Sequence, residues 1–210
     1  MNEIVNEKDI QTLVGIDPIF AAIYQQCGAP PNWSRRSGFV TLCKLILEQQ
    51  VSLASAHAHF LKLNTYIGDF TPENILMLND EEMRSCQISR QKSNYLRNLS
   101  AAVLDKRIEL DKLHLLNEPE IRCQLIALKG IGNWTVDVYL LFCLQQNDVF
   151  PIGDIAVINT MKELTTAQTK MEIISYAEQW KPYRSLATYF LWHYYLLKRN
   201  RTAPIDYYML

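Results

Sequence analysis

Apolar residues recur along this chain mostly at helical spacing. In GFVTLCKLIL, residues 38–47, Phe39, Leu42, Cys43 and Ile46 fall at i, i+3, i+4 and i+7, the stripe of an amphipathic helix. A polar interruption, EQQVS, follows, and Ser52 is placed to cap a second helix through LASAHAHFLKL. The stripe returns in ISRQKSNYLRNLSAAVLDKR, where Tyr95, Leu96, Leu99 and Val103 share a face behind a cap at Ser89. In NEPEIRCQLIALKG, Asn117 reads as a cap, Pro119 suits the first turn, and Glu120 completes a capping box. Gly130 is predicted to stop that helix, and Asn133 to cap the next, NWTVDVYLLFCLQQ. DIAVINTMKEL follows with Asp154 at its head. The segment SYAEQWKPYRSLATYFLWHYYLLKR gives one helix ended near Pro182 and another rich in aromatic residues. No stretch shows the period of two that marks a strand, and no internal repeat is visible. The pattern predicts a compact all-α protein with short connections.

Composition narrows this picture. The 210 residues suffice for one large or two small domains, and 49% hydrophobic residues are ample for a core. No apolar run reaches the roughly 18 residues of a membrane span, and MNEIVNEKDI does not read as a signal peptide. The five cysteines, Cys27, Cys43, Cys86, Cys123 and Cys143, are scattered and odd in number. They read as reduced thiols rather than a disulfide or metal framework, so a cytoplasmic location is expected. A net charge of −1 argues against bulk electrostatic attraction to nucleic acid. A nucleic-acid partner has to be held by a local patch or by backbone amides.

LKGIGNWT supplies such amides. Helix, Gly-Ile-Gly turn and helix form a helix-hairpin-helix, in which Gly130 and Gly132 can take positive φ and let another molecule approach the backbone. The next helix start offers unpaired N–H groups and a positive dipole end to a phosphate. A plain turn between two helices is the other reading of the same residues. Asp154, in FPIGD, has two readings as well. It is a good N-cap, and a carboxylate fixed in direction by capping can also stabilise positive charge on a sugar or orient a water.

Taken together, LKGIGNWT and FPIGD, with Asp154 standing 22 positions after Gly132, resemble the helix-hairpin-helix DNA glycosylases. Further stretches carry the likeness. ILEQQVSLASA is similar to that superfamily's Gln-Gln-x-Ser helix junction, ISRQKSNYLRNLS to its lysine-and-tyrosine helix, and DPIFAAIYQQCG to its opening segment. QWKPYRSLATYFLW resembles the W-(R/K)-P-(W/Y)-R-S-x-A-x-x-x-x-W signature of the 3-methyladenine DNA glycosylase II family. The likeness runs from Asp17 to Lys198.

The resemblance implies a two-lobed helical fold with a DNA-binding cleft between the lobes. One lobe is expected over residues 38–146, ending in the hairpin, and the other over residues 1–37 plus 147–210. It implies action on double-stranded DNA that contains damaged bases, with no membrane partner and, in a bacterium, a nucleoid-associated place in the cytoplasm; a cleft enzyme acting on one flipped base needs only a monomer. The damaged base is flipped into a pocket. Asp154 is implied as the catalytic carboxylate that stabilises the oxocarbenium-like sugar. Trp134 falls where bifunctional relatives carry a nucleophilic lysine, so a monofunctional enzyme without AP-lyase activity is expected. Its aromatic face suits a positively charged alkylated purine such as 3-methyladenine. Trp192 matches the signature's last tryptophan and is implied as a second pocket wall. Packing at a helix start and in an apolar core are the respective alternatives. Trp180 and Tyr183 read as structural. Arg184 is expected to pair with an acidic group or a phosphate.

Gln49 and Gln50 stand where relatives push a wedge side chain into the gap left by the flipped base, and some relatives carry leucine in place of Gln50. A polar pair that merely breaks the helix is the alternative. Gly130, Ile131, Gly132 and Thr135 are the implied DNA-binding residues of the hairpin. No cofactor is implied as a requirement. A monovalent cation, sodium or potassium, is implied at the backbone carbonyls of Ile126, Leu128 and Ile131. His57, His59, His114 and His193 show no ligand spacing. Two rival functions stay open: a glycosylase for deaminated bases, and a non-enzymatic helix-hairpin-helix DNA-binding protein.

Overall fold

The computed structural model describes residues 3–201; the outermost parts of the expected second lobe, residues 1–2 and 202–210, lie outside it. The described residues form twelve α-helices and no strand: α1 (Glu7–Ile16), α2 (Pro18–Cys27), α3 (Phe39–Glu48), α4 (Leu53–Ile67), α5 (Pro72–Met77), α6 (Asp80–Ser85), α7 (Arg90–Leu104), α8 (Glu118–Ile126), α9 (Asn133–Phe142), α10 (Ile155–Leu164), α11 (Lys170–Ala177) and α12 (Arg184–Lys198). Short 3₁₀ turns cover Leu110–Leu115 and Glu178–Trp180. No helix among them is long and apolar enough to cross a membrane.

Helix starts follow local chemistry. The side chains of Ser52, Ser89 and Asn117 accept from backbone N–H groups three residues on, and Glu120 answers the Asn117 N–H to complete the capping box. Two boundaries differ from expectation. Helix α8 stops at Ile126, because the Leu128 N–H turns back to the Leu125 carbonyl and tightens the chain before Gly130 is reached. Asn133 is the first residue of α9 rather than its cap: the Val136 N–H bonds the Gly132 carbonyl, which puts Gly132 at the cap position.

The chain divides into two compact units, one reaching Ser34 and resuming at Leu140, the other holding Arg35–Tyr139. The sequence set these seams at 37/38 and 146/147; the structure sets the second inside α9. In the Arg35–Tyr139 unit, α7 packs on α3, α5 and α6, and α3 also packs on α4. Every residue of α3 from Thr41 to Glu48 is buried, so the helix lacks the solvent face its stripe predicted. Its charged residues are satisfied locally: Glu48 pairs with the buried Arg35 at 2.9 Å, and Lys44 lies over the Phe60 ring, 4.5 Å from its centre. At its start, the Gly38 N–H donates to the Tyr139 hydroxyl at 3.0 Å.

The other unit is built around α12, which packs on α10, α2 and α1. Its core is aromatic. Trp180 is fully buried, meets the Phe20 ring edge-on at 4.9 Å, and donates its indole N–H to Asp17 at 2.9 Å. Asp17 in turn caps α2 through the Ile19 N–H. Trp180 is thus structural, as its place before Pro182 suggests.

Candidate active site

Gly130 is the one hairpin glycine whose backbone demands glycine. Its φ is +97°, and a Cβ there would lie 2.2 Å from Cγ of Tyr95 on α7, so the Tyr95 ring presses on the turn where a side chain would stand. Gly132 does not take the positive φ expected of it, and a Cβ there meets nothing within 4 Å. It is exposed, at the cap of α9, with its space open to an approaching molecule. Ile131 is buried and donates its N–H to the Leu128 carbonyl at 3.1 Å. Trp134 is half-buried in the first turn of α9.

Gln49 and Thr135 are brought together inside the protein. The Gln49 side-chain amide donates to the Gly130 carbonyl at 2.8 Å and to the Thr135 hydroxyl at 3.2 Å. Thr135 is buried, and its hydroxyl is engaged within the hairpin by Gln49. Gln50 is exposed, at φ +58°. Lys92, on α7, donates to the Leu47 carbonyl at 2.6 Å, and burial lowers its pKa.

The two helices of the hairpin are also clamped. Arg122 of α8 bonds Asp137 of α9 at 2.7 Å and Glu118 of its own helix at 2.7 Å. Burial outweighs the Arg122 charge and pushes the Asp137 pKa up to about 6.

Asp154 lies in the other unit, where its Oδ1 atom accepts three N–H groups. The backbone amides of Ala156 and Val157 donate at 2.9 and 3.1 Å, and the Trp192 indole donates at 3.1 Å. The first two make Asp154 the cap of α10. Trp192 is half-buried against Phe142, at 5.3 Å between ring centres. Trp33, which sequence reading passed over, stacks on Tyr189 at 5.3 Å and meets Trp192 edge-on at 6.4 Å.

One face of α12 organises the segment that leads to Asp154. Ser185, Tyr189 and Trp192 stand at i, i+4 and i+7. The Ser185 hydroxyl accepts from the Val149 N–H at 2.9 Å and donates to the Gln146 carbonyl. The Tyr189 hydroxyl accepts from the Gln145 amide at 3.4 Å. Arg184 adds a two-pronged pair with Asp148, at 2.7 and 2.9 Å, and a contact to Glu178 at 2.9 Å. It therefore takes the acidic partner of the two that sequence allowed. The Arg-Ser and the later tryptophan of PYRSLATYFLW have one shared purpose here, to fasten residues 145–154. Among the described residues, no group of three or more His, Cys, Asp or Glu is placed to hold a metal.

Known proteins resemble this chain in sequence and fold. Residues 43–183 match the family model of the HhH-GPD superfamily base excision DNA repair protein. The chain is 30% identical over 171 residues to the DNA-3-methyladenine glycosylase 1 of Schizosaccharomyces pombe, covering 77% of this chain and 75% of that protein. It is 30% identical over 169 residues to the DNA-3-methyladenine glycosylase of Bacillus subtilis, where the match covers 73% of this chain and just over half, 56%, of the relative. A solved structure of the S. pombe 3-methyladenine DNA glycosylase in complex with abasic DNA superposes with a TM-score of 0.80 at 29% identity, over 88% of this chain and 95% of that one. This chain belongs to the HhH-GPD superfamily of base excision DNA repair proteins.

Proposed function

We propose that this protein is a DNA glycosylase of base excision repair that extrudes alkylated bases, 3-methyladenine among them, from duplex DNA and hydrolyses the N-glycosidic bond. The observation that carries the reading is the Asp154 carboxylate, aimed by three N–H donors on Oδ1. A carboxylate whose orientation is settled before the substrate arrives needs no reorganisation when positive charge develops on the sugar. As the bond from C1′ to the base breaks, the bonding electrons leave with the base, which for a cationic alkylpurine departs neutral. Water then adds to C1′ and gives up a proton, leaving an abasic site.

Trp134 supports a monofunctional enzyme, because an indole cannot form the Schiff base that precedes strand cleavage. Its face attracts a cationic base more than a neutral one. Gly132, open and exposed at the start of α9, supports phosphate contact through backbone amides, which suits a chain with a net charge of −1. The carbonyls of Ile126, Leu128 and Ile131 are compatible with a monovalent cation at the hairpin. The Leu128 carbonyl already accepts the Ile131 N–H at 3.1 Å, and its second lone pair is available to an ion. Such an ion would add positive field for a phosphate. One monomer acting on one flipped base is sufficient for this chemistry.

Mass spectrometry of bases released from methylated duplex DNA tests the reading. Wild type is expected to release 3-methyladenine without nicking the strand. Asp154→Asn is expected to bind the same DNA and release nothing. Equal binding with no release by either form would overturn the alkylbase reading, and the same assay on duplex carrying deaminated bases would then separate a glycosylase for those bases from a DNA-binding module.

A further inference from the structure

We propose that Gln49 is a positioning residue: an internal brace that sets the exposed Gln50 turn in register with the hairpin backbone, and not itself a DNA contact. The inference rests on the glycosylase reading and deepens it.

Helix α3 ends at Glu48, Gln49 leaves it in an extended conformation with ψ 126°, and Gln50 follows at φ +58°. A glutamine in the left-handed region is held there by its surroundings rather than by its own preference. The restraints on this junction are specific. The Gln49 N–H turns back to the Ile46 carbonyl at 3.4 Å, and Lys92 fastens the Leu47 carbonyl at 2.6 Å. The Gln49 amide then reaches 81 residues along the chain to the Gly130 carbonyl at 2.8 Å, and on to the Thr135 hydroxyl at 3.2 Å. Gly130 is therefore gripped twice, by the Tyr95 ring at its α-carbon and by Gln49 at its oxygen. Tyr95 and Lys92 stand three residues apart on α7, so one helix supports the hairpin turn and the end of α3 together.

A base-flipping enzyme holds the strand by its phosphates and fills the gap left in the stack, and both acts address one duplex at fixed spacing. With Gln50 as the filler and the hairpin turn as the phosphate contact on this proposal, Gln49 is the covalent neighbour of the first and the hydrogen-bonded neighbour of the second. Without its amide, hairpin and filler are both present but their spacing is no longer set. Extrusion of the base then suffers, while the chemistry at Asp154 does not.

The test uses the full-length protein with Gln49→Glu, which keeps the shape but sets a carboxylate against the Gly130 carbonyl, and Gln49→Met, which keeps the length and removes the donor. Single-turnover excision is measured on duplexes carrying one alkylated base, either correctly paired or opposite a mismatch that lowers the cost of extrusion. The paired substrate is expected to lose about 10- to 100-fold in rate, with the loss shrinking opposite the mismatch. Affinity for undamaged duplex should stay unchanged. Equal losses on both substrates would reveal a general structural defect and overturn the assignment. So would a fall in undamaged-duplex affinity matching the loss in rate, which would make Gln49 a DNA contact. Unchanged excision by both variants overturns it too. Failure of the wild type to release any base overturns the glycosylase reading along with it.

Discussion

The indole N–H of Trp192 donates, at 3.1 Å, to the same carboxylate oxygen of Asp154 that caps α10. Trp192, expected from the resemblance as an aromatic wall, thus also orients the proposed catalytic group from 38 residues away. Trp192→Phe keeps an aromatic ring at this position and removes the donor together with part of the indole. Excision of 3-methyladenine should fall about tenfold, the equivalent of ~1.4 kcal/mol, at nearly unchanged affinity for damaged DNA. Single-turnover rates and equilibrium binding on one substrate check this. A loss confined to affinity would mean that the ring, and not the N–H, is what matters.

The two hairpin glycines should respond differently to alanine. At Gly130 the new Cβ would need positive φ and would collide with the Tyr95 ring, 2.2 Å away. Strain and overpacking together should cost roughly 2–4 kcal/mol of stability. At Gly132 the new methyl enters open space at an ordinary φ. Stability should change by less than about 0.5 kcal/mol, while duplex affinity falls because the methyl occupies the space a phosphate would approach. Thermal melts and DNA titrations of both variants separate the outcomes. A Gly132→Ala variant with full affinity would show that the turn does not contact DNA.

These residues also show where sequence was informative. The caps at Ser52, Ser89, Asn117 and Asp154 were legible because capping is settled within three residues of chain. The all-helical fold was legible because helical periodicity is equally local. The burial of α3 was not, since its charges are buried against partners such as Arg35, which lies 13 positions from Glu48. The brace at Gln49 was hidden for the same reason, its acceptors lying 81 and 86 positions away. One signal for Trp192 was present but unused. Its seven-residue spacing from Ser185 puts both on one face of α12, facing the segment that ends in Asp154.

Asp137 gives the hairpin a pH signature. Burial pushes its pKa from the ordinary 3.8 up to about 6, despite Arg122 at 2.7 Å. Between those values the folded chain binds more protons at this group than the unfolded chain does. The group's stability contribution is therefore full below about pH 4 and lost as pH rises through about 6. Wild type should lose roughly 1–3 kcal/mol across that window relative to Asp137→Asn, which does not titrate. Melting both proteins from pH 4 to 7.5 checks the sign. Curves that run parallel would mean that Asp137 keeps the ordinary value when folded.

Trp134 sets the proposed end of the reaction at the abasic site. If the lack of an amine at this position is what withholds strand cleavage, Trp134→Lys should supply one. The lysine would stand in the first turn of α9, where the positive end of the helix dipole disfavours its charged form and frees the amine for attack. With abasic duplex and borohydride, the variant should give a covalent protein–DNA adduct that wild type does not, through reduction of the imine between the lysine and C1′. Excision of 3-methyladenine should fall at the same time, because the aromatic face proposed to attract the cationic base is gone. An adduct formed by wild type would place an amine other than residue 134 within reach of the sugar and end the monofunctional assignment. Failure of the variant to trap DNA, with the fold intact by circular dichroism, would mean that residue 134 does not face the reacting carbon.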